Sequence, residues 1–176
     1  MSGSDEQRRT ACKVLVACLG NPDRGDDGVG AAVARALAGR LRDGASLVVR
    51  SGDMLALIDE WTDFDAVVCV DAAAAAGTPG HIRRIDLARE TLPVDVGVTS
   101  SHAFGLAEAV QLARTLQCAP AQIVVYAIEG ATFETGAPMT AAVAAAVDDV
   151  AQRVIDEVQH LGQGVTRVAL VAQSGL

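Results

Sequence analysis

The sequence predicts an α/β fold, a three-layer αβα sandwich with a mostly parallel, twisted central sheet of about five strands. Three observations predict it. The continuous apolar runs VLVACL, AVVCVDA and QIVVYAI have strand length and the character of strands buried on both faces. Segments between them place apolar residues at helical spacing. Strand and helix patterns alternate along the chain, without an internal repeat or a linker dividing two domains.

Composition agrees with a folded domain. Of the 176 residues, 51% are hydrophobic and 20% charged, which suits a sizeable core. Aromatics make up only 3%, so Ala, Val, Leu and Ile must build that core. The formal net charge of −8 argues against nucleic acid and against an anionic membrane surface as partners. The four cysteines, Cys12, Cys18, Cys69 and Cys118, form no CxxC pair, and Cys18 and Cys69 sit inside apolar runs. All four read as reduced and structural, which sets a cytoplasmic location as the expectation. The start, MSGSDEQRRTACK, lacks the apolar core of a signal peptide. No apolar run reaches the ~20 residues that cross a bilayer.

The expected organisation is a flexible N-terminal arm (1–12), a single α/β domain (13–160) and a C-terminal tail (161–176). VLVACL (14–19) is the first strand, followed by the loop GNPDRGDDGVG. From Asp27 the period changes: Val29, Val33, Leu37 and Leu41 mark one helical face, which Gly44 ends. SLVVR (46–50) is a short strand and DMLALIDEW (53–61) a short helix. AVVCVDA (66–72) carries Asp71 at its end, and HIRRID (81–86) alternates like an edge strand. After a longer connection, Ser100 or Ser101 is placed to cap a helix running to about Leu116. QIVVYAI (122–128) is a further buried strand. Thr140 is placed to cap a last helix carrying Val143, Val147, Val150, Val154 and Val158. In the tail, TRVALVA reads as a strand or a simple extension.

In such folds, ligands gather at the carboxyl ends of the strands. The GNPDRGDDGVG loop, Asp71 and the loop after Glu129 all fall there. That loop matches neither a Walker A sequence nor GxGxxG, and its aspartates would repel a phosphate. HExxH spacing, a GxSxG elbow and a Cys–His pairing are also lacking. Three histidines remain to be weighed. His160 ends a helix, and His81 opens an edge strand beside Arg83 and Arg84. His102 sits at a helix start, where the helix field favours the neutral imidazole that can bind a metal. Of the acidic pair, one aspartate can cap the first helix while the other faces the cleft. Asp23 is a turn residue, while Asp59, Glu60, Asp63 and Asp65 by themselves read as a solvated face. Two carboxylates and a histidine would make a mixed oxygen and nitrogen site for a borderline divalent ion.

At the first strand–helix turn, CLGNPDRGDDGVG resembles the N-terminal signature of the hydrogenase maturation proteases. SGDMLALIDEWTDFDAVVCVDA, GTPGHIRRID, TSSHAFGLAEAV and VVYAIEGATFETGAPMTAAVAAAV resemble later segments of that family, in the same order. The likeness covers roughly residues 13–158, and the ordered set is far more specific than any one motif. It implies an endopeptidase that removes the C-terminal extension of a nickel–iron hydrogenase large-subunit precursor after nickel insertion. The family's metal-contact positions fall on Asp27, Glu60 and His102, with Asp59 one residue from Glu60 and Asp53 a weaker candidate. The resemblance casts Asp71 as a supporting acid. It further implies that the nickel comes with the substrate and that the resting enzyme holds no stably bound metal.

Two rivals have different features. Peptidyl-tRNA hydrolase also opens on a Gly-Asn-Pro turn, but it needs a histidine soon after and a basic surface for tRNA. This chain offers Asp26 and Asp27 and a charge of −8. A non-catalytic chaperone docking on the nickel-loaded large subunit would carry the same ligand set, and only cleavage separates it from a protease.

Overall fold

The computed structural model describes residues 12–93 and 105–172. Strands β1 (Val14–Leu19), β2 (Ala45–Arg50), β3 (Ala66–Ala73), β4 (Ile82–Asp86) and β5 (Gln122–Glu129) form one sheet in the order β2-β1-β3-β5-β4. The first four of these positions are parallel, and β4 lies antiparallel at the edge. Helices α1 (Val29–Leu37), α2 (Met54–Trp61), α3 (Leu106–Thr115) and α4 (Ala141–Ala172) cover the sheet.

Strand alternation divides the core into two layers. Val14, Val16 and Cys18 join Val68 and Val70 beneath Val33 and Leu37 of α1 and Val150 and Val154 of α4. On the opposite face, Leu15, Ala17 and Leu19 join Val67 and Cys69 beneath Leu57 and Trp61 of α2 and Leu106 and Ala109 of α3. Both faces of β1 and β3 are thus dry, which is why those strands read as unbroken apolar runs. Each fully buried aliphatic side chain contributes about 1.5–3 kcal/mol. The αβα sandwich predicted above is the fold observed.

Several boundaries differ from expectation. Helix α1 stops at Leu37 because the chain turns at Gly39, whose φ of 72° is left-handed. Leu41 still packs on the α1–α4 core from the loop beyond. Helix α3 starts at Leu106, with the Gly105 N–H donating to the Glu108 carboxylate at 3.1 Å. Ser100 and Ser101 lie outside the described residues. TRVALVA is neither strand nor loose tail, since α4 continues as a helix through Ala172. The four cysteines are free thiols, three of them buried. Among the described residues, no helix is long and apolar enough to cross a membrane.

Candidate active site

The GNPDRGDDGVG loop leaves β1 by a left-handed turn at Gly20 (φ 114°), where a side chain would collide with the Asp27 carbonyl. Gly30 lets α1 start hard against the Leu19 carbonyl at the end of β1. Between these two glycines, a 3₁₀ turn at Gly25–Gly28 carries the acidic pair.

Neither aspartate caps a helix, contrary to expectation, and no side chain caps α1 at Gly28. Asp26 is 0% exposed and is a clamp. Its carboxylate accepts the N–H groups of Ala131 (2.7 Å), Thr132 (3.2 Å) and Thr140 (2.7 Å) and the Thr140 hydroxyl (2.9 Å). Thr140 stands just ahead of α4 as predicted, but its hydroxyl serves Asp26. Burial acts to raise the Asp26 pKa, yet these donors outweigh it and hold the carboxyl below its ordinary range. Main-chain bonds reinforce the clamp, from Asp26 N–H to Thr132 and from Gly25 N–H to Ala137.

Asp27 is 2% exposed. Its Oδ2 accepts the Asn21 N–H at 3.0 Å and lies 3.7 Å from the Arg24 guanidinium. Asp71 is 4% exposed and stands one residue past the last β1–β3 pair, Cys18 with Val70. Its Oδ1 accepts the Ala72 N–H at 2.8 Å. Burial, with the nearby Asp27 charge adding to it, pushes the Asp71 pKa up to about 7. The structure therefore brings Asp27 and Asp71 together at the carboxyl edge of the sheet.

Glu60 is placed differently. It lies on α2 and forms an ion pair with Arg50 at the end of β2 through Oε1, while Oε2 is buried without a hydrogen-bond partner among the described residues. Asp53 caps α2 by accepting the Ala56 N–H at 3.0 Å, and Asp59 is exposed. His102 lies outside the described residues, and His81 and His160 are both exposed. Alternation puts Asp71 on the α2–α3 face of the sheet, with Cys69 and Ala73. The chain re-enters the described structure on that face, at Gly105 and α3, three residues after His102. Among the described residues, no three His, Cys, Asp or Glu side chains gather as a metal-binding group. Glu129, at the end of β5, holds the loop after β3 by accepting the N–H groups of Ala76 (2.7 Å) and Thr78 (2.6 Å).

A family model, HycI: hydrogenase maturation protease, matches residues 32–157. The chain belongs to the hydrogenase maturation protease family. It is accordingly an endopeptidase of hydrogenase maturation. Solved structures of such proteases have its fold. The hydrogenase maturating endopeptidase HybD from E. coli superposes with a TM-score of 0.69 at 20% identity, over 84% of this chain and 93% of its own. The [NiFe] hydrogenase maturation protease HycI from Thermococcus kodakarensis gives 0.67 at 18% identity, over 86% and 95%. A hydrogenase 3 maturation protease gives 0.60 at 25% identity, over 81% and 89%. No curated protein matches the chain. In this maturation protease, the sequence missed the clamp at Asp26, because its donors lie more than a hundred residues away. Asp71 was visible as a strand-end acid, but its proximity to Asp27 was not.

Proposed function

We propose that this protease removes the C-terminal extension of a nickel–iron hydrogenase large-subunit precursor, using the nickel already inserted in that precursor as its handle. Asp27 and His102 contact the nickel, and Asp71 takes the place of Glu60 as the second carboxylate. The observation that carries this is the buried Asp27–Asp71 pair at the carboxyl edge. Two acids held close in a dry site repel each other, and a cation relieves that repulsion. Glu60 is instead engaged through Oε1 by the Arg50 guanidinium at the end of β2. Lewis-acid polarisation of a carbonyl or water belongs to the substrate's nickel. The chain's own carboxylates orient that centre and accept a proton from the attacking water. The metal arrives with the substrate and leaves with the product, so the resting enzyme needs no resident ion.

The test is incubation of the purified protein with nickel-loaded and nickel-free precursor, read by intact-mass spectrometry. Loss of a C-terminal peptide from the loaded precursor alone is expected. Binding of the loaded precursor with no mass loss would make the protein a docking chaperone and overturn this reading.

A further inference from the structure

An endopeptidase must hold its substrate backbone extended, since an amide inside a helix is shielded. The sheet offers a place for that. Strand β2 lies at one edge and pairs only with β1 among the described residues. The Gly44 carbonyl accepts the Val14 N–H (3.1 Å) and the Arg50 carbonyl accepts the Gly20 N–H (3.0 Å), so the even-numbered residues of this segment point toward β1. Successive backbone groups alternate, so the N–H and C=O groups of Leu47 and Val49 point outward. The Arg50 side chain donates to the Val49 carbonyl at 2.9 Å, which leaves the Leu47 N–H and C=O and the Val49 N–H for a partner.

Folded proteins blunt free edges with charge, proline or bulges. The other edge strand, β4, carries Arg83 and Arg84, and Glu157 of α4 clamps Arg84 at 2.6 and 2.9 Å. The segment ASLVV of β2 has neither charge nor proline, and Val49 is 43% exposed. This edge also runs directly into the candidate active site, because the Gly20–Arg50 bond ties the end of β2 to the loop carrying Asp27.

We propose that the outer edge of β2 docks the polypeptide substrate as an added extended strand. Main-chain hydrogen bonds supply the affinity, as in other strand-addition complexes. An added strand would lie two strand spacings, about 10 Å, from β1. That gap is about three residues of extended chain, so the docked segment begins about three residues from the scissile bond. The proposal rests on the active site assigned above.

The experiment compares Val49→Pro with Val49→Ala in steady-state cleavage of the nickel-loaded precursor. Proline removes the outward N–H without breaking the β1 ladder, as tolerated on edge strands, while alanine keeps the N–H. We expect Val49→Pro to raise KM about fivefold with kcat within about twofold, and Val49→Ala to match wild type. An unchanged KM in a folded Val49→Pro protein overturns the proposal, including the case where only its oligomeric state changes. A second readout covers misfolding of the proline variant. Hydrogen exchange across 45–50 is followed in the wild-type protein with and without an excess of nickel-free precursor, which the edge would bind through its main chain and which the protein leaves uncut. Slower exchange on complex formation supports the edge, and unchanged exchange in a formed complex overturns it. If wild type leaves the loaded precursor uncut, the nickel-handle reading fails, while the exchange measurement still decides the edge.

Discussion

Asp71 and Glu60 compete for one role, and substitution separates them. Asp71→Asn should lower processing by at least about a hundredfold, as losses of essential acid–base groups do. Glu60→Ala should lower it by less than about tenfold, through a looser Arg50 and β2. The reverse order, read from intact-mass time courses, would restore Glu60 to the site. Asp71→Asn also has a pH signature in stability. A buried carboxyl whose folded pKa is raised to about 7 contributes fully below its unfolded value and loses that contribution as pH rises through 7. Asp71→Asn removes this loss. It should melt several degrees above wild type at pH 8 and lose that advantage near pH 4. His102→Ala should abolish processing and leave the melting temperature nearly unchanged, whereas His81→Ala, at an exposed position, should leave processing intact.

The loops at the carboxyl edge are held by one side chain. Asp26→Ala would strand the Ala131, Thr132 and Thr140 N–H groups, at a cost of about 3 kcal/mol. The Asp26 folded pKa lies below its ordinary 3.8, so its contribution is present above that value and is lost as pH falls through the folded pKa. Urea melts of wild type and Asp26→Ala should therefore converge at low pH and differ at pH 7. These elements also show how far the residues alone could be read. The boundaries of β1 and β5 were legible because both faces of those strands are apolar. The end of α1 was not, since Leu41 keeps helical spacing while packing from a loop beyond Gly39. The role of Thr140 was misread for a similar reason, because a residue at a cap position can serve a distant carboxylate instead.

For the molecule as a whole, the prediction concerns the metal. If the ion is substrate and not a resident cofactor, as proposed above, chelation of free nickel should leave cleavage of an already loaded precursor unchanged. Loss of cleavage after chelator treatment of the enzyme alone, with recovery on adding nickel, would show a resident metal. The three-layer sandwich makes the site possible by turning the ends of β1 and β3 to one edge, with α3 covering the Asp71 face. Periodicity and run length were enough for the layers and the strand set, because burial on both sheet faces leaves a local, contiguous signature, while the family likeness came from the ordered motifs. Pairing across the sheet leaves no such signature. Only folding could bring Asp27 beside Asp71, commit Glu60 to Arg50 and turn the backbone of Leu47 and Val49 outward. Those outcomes depend on through-space distances and hydrogen-bond parity between segments far apart in the chain.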